Sequence, residues 1–187
     1  MPELPEVEVV RRGLERHIVG RRILDVDVLH PRPVRNNPGG PDAFVAWLRG
    51  KVVDASNRRG KYLWLSLGDD ALLCHLGMSG QFRVAEPADA LVRHTRVVLH
   101  LDDGQQLRFV DQRMFGGLEV RPGQALDPVP HIAPDPFSPE FRLHDVARAL
   151  RAKRSTVKRA LLDQGLVSGI GNIYACLLYT SPSPRDS

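Results

Sequence analysis

Between residues 51 and 121 the chain is a succession of short apolar runs, at 51–55, 62–67, 71–76, 81–84, 95–101, 105–110 and 118–121. Glycine, proline, aspartate and asparagine separate them. Runs this short suit strands better than core helices, and turn residues at each break let the backbone reverse. Asp103-Gly104 between two runs is a hairpin signal, because both residues tolerate the positive φ of a tight turn. A further strand is expected at 22–30, where Leu24, Val26 and Val28 alternate with Asp25 and Asp27. Many short strands with frequent turns predict a two-layer β-sandwich.

Helical patterns flank this region. Pro5 suits a first helical turn, and Glu6 and Glu8 lie where the helix dipole favours acids. Val7, Val10, Leu14 and Ile18 then follow at helical spacing as a core-facing stripe, and Gly20 is a plausible stop. A short helix at 42–49 would bury Phe44, Trp47 and Leu48. From Pro122 the composition changes: Pro128, Pro130, Pro134, Pro136 and Pro139 follow, a linker pattern. Two helical patterns come next, at 143–152 and 156–163, with Ser155 as candidate cap of the second and Gly165 as its end. The fold class expected is therefore α+β: a sandwich with an N-terminal helix over 1–121, a linker over 122–139 and a helical part over 140–175.

The net charge is +4 and the sequence pI about 9.4, which favours an anionic partner without specifying one. Arg58, Arg59 and Lys61 cluster in one expected loop, and Arg148, Arg151, Lys153, Arg154, Lys158 and Arg159 cluster further on. Two cysteines, Cys74 and Cys176, are too few for a disulfide framework or a four-ligand zinc site. No run of 18 apolar residues and no basic-then-apolar leader is present, so a cytoplasmic protein is expected.

The amino terminus can carry chemistry. With Met1 removed, Pro2 bears a free secondary amine. An α-amino group titrates near about 7.7–8.0, far below lysine, so much of it is neutral at physiological pH. A helix start immediately downstream favours the neutral form further. Such an amine can attack a sugar carbon and form an iminium. Glu3 and Glu6 stand beside it as possible acid and base, since two close carboxyls can titrate apart. The plainer alternative is a frayed terminus, with Glu6 serving only the helix dipole.

Five separated segments share one resemblance: MPELPEVE at 1–8, RRGKYL at 58–63, HLGMSG at 75–80, DQRMFGG at 111–117 and LLDQGLVSGIGNIYA at 161–175. In this order they resemble the formamidopyrimidine-DNA glycosylases, bacterial enzymes of oxidised-purine repair. The related endonuclease VIII group resembles the opening less well, because Leu4 and the GKYL context fit the purine-directed branch. The resemblance implies a sandwich joined to a helix–two-turn–helix domain, and damaged duplex DNA as partner of a monomer. It implies Pro2 as nucleophile at the anomeric carbon and Glu3 as the acid that protonates the opening deoxyribose ring. Strand cleavage by β- and δ-elimination would follow, with no metal or redox cofactor. Glu6 would lie near the flipped base. Lys61, His75 and Asn172 would contact phosphate at the lesion, Lys61 counting with Pro2 and Glu3 among the catalytic residues and Asn172 following the Gly169-Ile170-Gly171 turn whose free N–H groups suit an anion. Met78, Arg113 and Phe115 would fill the gap left by the extruded base and contact its orphaned partner.

Structural alternatives stand beside three of these readings. Lys61 could be a strand-edge lysine that discourages aggregation, Gly169-Ile170-Gly171 an ordinary tight turn, and Met78 and Phe115 part of the sandwich interior. Met114 departs from the resemblance, since many members carry a basic residue there. The resemblance ends at Ala175; the segment CLLYTSPSPRDS at 176–187 looks foreign to it and is expected to be an artefactual tail. The family continues into further helices and a four-cysteine zinc finger, none of which is expected here, so the helical domain would be incomplete and excision impaired. The alternatives are a non-catalytic DNA-binding module and an inactive fragment.

Overall fold

The computed structural model describes residues 2–180; the expected removal of Met1 and the last seven positions of the expected tail lie outside the described residues. The described residues form five α-helices and eight strands: α1 (Leu4–His17), β1 (Ile23–Val28), α2 (Gly40–Leu48), β2 (Ala55–Arg59), β3 (Tyr62–Leu67), β4 (Asp70–His75), β5 (Gln81–Ala85), β6 (Thr95–Leu101), β7 (Gln106–Val110), β8 (Gly117–Arg121), α3 (Leu143–Ala152), α4 (Val157–Leu161) and α5 (Asn172–Thr180). A 3₁₀ turn at Arg32–Val34 precedes α2. Two compact units result, one from Met1–Arg58 with Tyr62–Pro128, the other from Arg59–Lys61 with the chain from Val129 on. Among the described residues no helix is long and apolar enough to cross a membrane.

The first unit is the β-sandwich. One sheet has the order β1-β6-β7-β5 and the other β2-β3-β4-β8. Strands β3 and β4 carry near-continuous apolar runs because both their faces are covered: Leu63, Trp64, Leu65, Ala71, Leu72, Leu73 and Cys74 are all buried. Val97, Leu99, Leu101, Leu107 and Phe109 of the other sheet join the same core. Each such side chain contributes about 1.5–3 kcal/mol by leaving water. Helix α1 adds the expected stripe, with Val7, Leu14 and Ile18 buried and Val10 packed at the margin.

Several expectations shift. Leu24 is 51% exposed while Ile23 and Val26 are buried. A register shift between Ile23 and Asp25 against β6 breaks the simple alternation. The run at 51–55 is not a strand; it makes an isolated bridge between Val52 and Arg22, and its neighbours Lys51 and Val53 bond to the backbone around β1. The strand is instead the polar Ala55–Arg59, which has β3 to pair with. Arg58 and Arg59 therefore belong to a strand, with only Gly60 and Lys61 turning the hairpin. Strand formation followed pairing, which local composition does not report.

The second unit is helical. Thr156, not Ser155, caps α4: its hydroxyl accepts the N–H of Arg159 at 3.3 Å. The helix ends at Leu161, ahead of Gly165. Helix α3 has no buried residue, and Leu143 and Val157 are exposed. Helix α5 begins at Asn172 and runs through position 176 to Thr180.

Candidate active site

Glu3 is the N-cap of α1, in extended conformation, and it closes a capping box with Glu6: the Glu3 N–H donates to Glu6 Oε2 at 3.1 Å. This follows from the sequence Glu-Leu-Pro-Glu, in which proline removes one N–H from the first turn and the fourth residue reaches back to the cap. Glu3 is only 4% exposed, whereas Pro2 is half-buried and Glu6 exposed. The terminus is therefore not frayed at Glu3. It carries a sheltered carboxyl next to the residue whose amine would react.

Helix α1 is held in place by charge. Glu8 receives hydrogen bonds from Arg11, Arg12 and Arg58, the last at 2.8 Å from Arg58 Nε. Burial pushes the Glu8 carboxyl up, but the hydrogen bonds from these three arginines outweigh it and hold it at about 2. Arg11 also donates to the Ser56 carbonyl, and Ser56 Oγ donates back to the Arg11 carbonyl. Arg58, one of the three basic residues expected to cluster in a loop, is thus committed to α1, its side chain 6% exposed.

Met78, Arg113 and Phe115 come together at one end of the sandwich. The 76–80 loop follows β4, and the 111–116 loop follows β7. Met78 is 46% and Phe115 51% exposed, so neither packs into the core. Arg113 Nη1 lies 3.5 Å from Met78 Sδ. The two loops touch backbone to backbone: a Cβ on Gly77, whose φ is +61°, would lie 2.5 Å from the Gly116 nitrogen. Arg32 Nε donates to the Met114 carbonyl and Arg35 Nη1 to that of Gly116, bracing the second loop from the 3₁₀ turn. His75, at the end of β4, packs its ring on Tyr62 with centroids 5.3 Å apart, and its Nδ1 accepts the Gly77 N–H.

In the second unit Lys61 and Asn172 are connected through their neighbours. The Gly60 N–H donates to Oδ2 of the fully buried Asp135 at 2.9 Å. A Cβ on Gly60, whose φ is +58°, would meet Ser168 at 2.7 Å and the Gly169 nitrogen at 3.0 Å. The hairpin tip thus presses against the turn that leads into α5, where Asn172 is the exposed first residue. Gln164 shapes that turn: its Oε1 accepts the Gly169 N–H and its Nε2 donates to the Ile170 carbonyl. Among the basic residues of α3 and α4, Arg148 pairs with Asp145 and Lys153 with Asp163. Arg151, Arg154, Lys158 and Arg159 are exposed, with no carboxylate partner among the described residues.

The family model of the formamidopyrimidine-DNA glycosylase N-terminal domain matches residues 1–118, and that of the family's H2TH domain matches residues 132–181. The chain belongs to the formamidopyrimidine-DNA glycosylase family. It is 60% identical to the formamidopyrimidine-DNA glycosylase of Nocardioides sp. strain JS614 over 181 residues, and 54% identical to that of Streptomyces avermitilis over 182. Each alignment covers 94% of this chain, which spans only 61% and 64% of those relatives. Among solved structures, MutM in complex with DNA containing carbocyclic 8-oxo-G is similar with a TM-score of 0.82 and 36% identity, over 93% of this chain and 65% of that one. The Lactococcus lactis enzyme bound non-covalently to DNA containing an AP site gives 0.81 and 35%, over 92% and 65%.

The family's structural zinc does not fit the thiols present. Cys74 is buried in β4, and burial pushes its thiol strongly up, against the thiolate that zinc requires. Cys176 is exposed on α5. Among the described residues no group of three or more His, Cys, Asp or Glu could hold a metal ion. Sequence reading had singled out neither Asp111, Ser79, Asp135, Gln164 nor the Glu8–Arg58 pair. All but Asp135 lie inside the quoted motifs, but their roles are to hold neighbouring segments in place, which motif chemistry does not reveal.

Proposed function

We propose that this chain carries the base-excision chemistry of its family, removing oxidised purines from duplex DNA and cleaving the strand at the resulting site. The observation that carries the reading is the pairing of a sheltered Glu3 with a half-buried Pro2 at the head of a braced helix. In the proposed reaction the Pro2 nitrogen attacks the anomeric carbon, and the glycosidic bond breaks as the base leaves with its electron pair and takes up a proton. Glu3 gives a proton to the ring oxygen as the sugar opens to an iminium. Loss of a C2′ proton then expels the 3′-phosphate, and a second elimination expels the 5′-phosphate. Every step is proton transfer, substitution or elimination, so no redox partner is needed.

DNA contacts are assigned on the same basis. Lys61, His75 and Asn172 are read as phosphate ligands, with Asn172 at a helix start where N–H groups favour anions. Met78, Arg113 and Phe115 are read as the side chains that occupy the emptied stack. Their joint exposure supports this, since a core role would have buried them. Glu6 is read as close to the extruded base, and its bond to the Glu3 N–H ties it to the same helix start. Residues 1–121 are read as the catalytic part, 122–139 as the connector and 140–175 as part of the helix–two-turn–helix domain, acting as a monomer in the bacterial cytoplasm without a metal of their own.

Borohydride trapping tests the reading. After mass analysis shows an unblocked Pro2, the chain is incubated with a duplex containing an abasic site and reductant. A covalent protein–DNA adduct is expected. Binding without adduct from a chain with a free Pro2 would instead make it a DNA-binding module, and a chain with no cooperative thermal transition would be an inactive fragment.

A further inference from the structure

Asp111 is a fully buried acid to which the proposed chemistry gives no part. Its two carboxyl oxygens serve two different loops. Oδ1 accepts the hydroxyl of Ser79, in the Met78 loop, at 2.6 Å. Oδ2 accepts the N–H of Gly116, directly after Phe115, at 2.9 Å. Ser79 Oγ in turn accepts the N–H of Arg113 at 2.9 Å. The hydroxyl therefore spends its one proton on Asp111 and a lone pair on Arg113, so that two arms converge on the carboxylate, one from Arg113 through Ser79 and the other from Gly116. The backbone of Asp111 is anchored as well, its N–H donating to the His94 carbonyl and its own carbonyl accepting Arg96 Nε, both at 3.0 Å. No room exists for adjustment, because a Cβ on Gly116 would lie 2.8 Å from Asp111 Oδ2 and 2.9 Å from the Phe109 ring.

We propose that Asp111 and Ser79 are positioning residues that lock the Met78 loop to the Arg113–Phe115 loop, so that the three exposed side chains enter DNA as one rigid unit. This rests on the reading that those side chains fill the duplex gap. An isolated Met or Phe on a free loop would lose rotamer and backbone freedom on insertion; a pre-set pair has already lost it. The relay places that ordering in the fold, at the depth where a carboxyl can satisfy donors from both loops.

Two measurements on the full chain separate the relay from the reading it rests on. The first is amide hydrogen exchange in the free protein. Ser79→Ala removes the bond to Arg113 and one of the two bonds on the Asp111 carboxyl. Exchange is expected to quicken at least fivefold both at Arg113 and at Gly116, which Ser79 does not touch. Quickening confined to Arg113 would overturn the relay. The second is binding of a duplex containing a tetrahydrofuran abasic analogue, with Met78→Ala, Phe115→Ala and the double variant. Losses are expected to be non-additive by at least threefold in the parent and additive in the Ser79→Ala background. Coupling that survives Ser79→Ala would overturn the proposal. Exchange changes at both amides together with no binding loss from Met78→Ala or Phe115→Ala would leave the relay standing and defeat its role in DNA. Asp111→Ala, which removes both acceptors, should quicken exchange at Gly116 at least as much as Ser79→Ala; because it can impair folding, Ser79→Ala decides.

Discussion

The Glu3 N–H donates to Glu6 Oε2 at 3.1 Å, so the residue proposed as the ring-opening acid is also the cap of the helix that carries it. Chemistry and local stability are joined at one position. Glu6→Ala is expected to lose the reciprocal bond and about 1 kcal/mol of stability, and to lower the yield of borohydride-trapped adduct, because Glu3 and Pro2 lose their backbone anchor. Glu6→Gln, which keeps an acceptor oxygen, should restore most of the stability. Urea unfolding and trapping of the same variants check both.

Glu8 sets an acid limit. Its folded pKa, about 2, lies below the ordinary 4.5, so protonation favours the unfolded chain. Its contribution is whole above about pH 4.5 and is lost as pH falls toward 2. Arg58→Met, which removes the buried partner, is expected to cost about 2 kcal/mol at pH 7. The gap between variant and parent should narrow at pH 3. Urea midpoints at the two pH values read this directly, and an equal gap at both would contradict it.

Gly60 is required twice, by its φ of +58° and by the 2.7 Å that a Cβ would leave to Ser168. Gly60→Ala is expected to cost about 1–3 kcal/mol through backbone strain and overpacking. It should also displace Lys61 and weaken duplex binding several-fold. Anisotropy with a labelled abasic duplex, alongside thermal unfolding, separates the two effects; Gly104→Ala, where a Cβ meets open space, serves as a control for strain alone.

Met78 and Phe115 should divide function from stability. Both are about half exposed, so alanine at either is expected to change stability by no more than about 0.5 kcal/mol, while reducing affinity for a gapped duplex. Leu65→Ala, in the fully buried middle of β3, should cost about 2–5 kcal/mol. Chemical denaturation of the three variants reads the contrast.

Much of the sandwich was legible in the residues. Strands β3 and β6 and helix α3 fall where the apolar periodicities put them, and in the two strands pattern and burial agree. The failures differ in cause. The polar stretch Ala55–Arg59 became a strand because β3 was available to pair with it, and Leu24 turned outward because a register shift against β6 moved it. Ser155 was passed over for Thr156 because one residue decides whether a hydroxyl faces the N–H of the first turn.

From the amino-acid sequence alone came the family motifs, the proposal of a reactive terminus and the periodicities of strand and helix, all of which depend on neighbours within a few residues. Tertiary structure decided what each charged or polar group is for. Arg58, counted in an expected basic loop, became a strut for Glu8, Met78 and Phe115 stood outside the core, and Asp111 joined two loops separated by some thirty residues. Those outcomes depend on which chain segments meet in space, and a hydrogen bond between distant segments leaves no period in the sequence that encodes it.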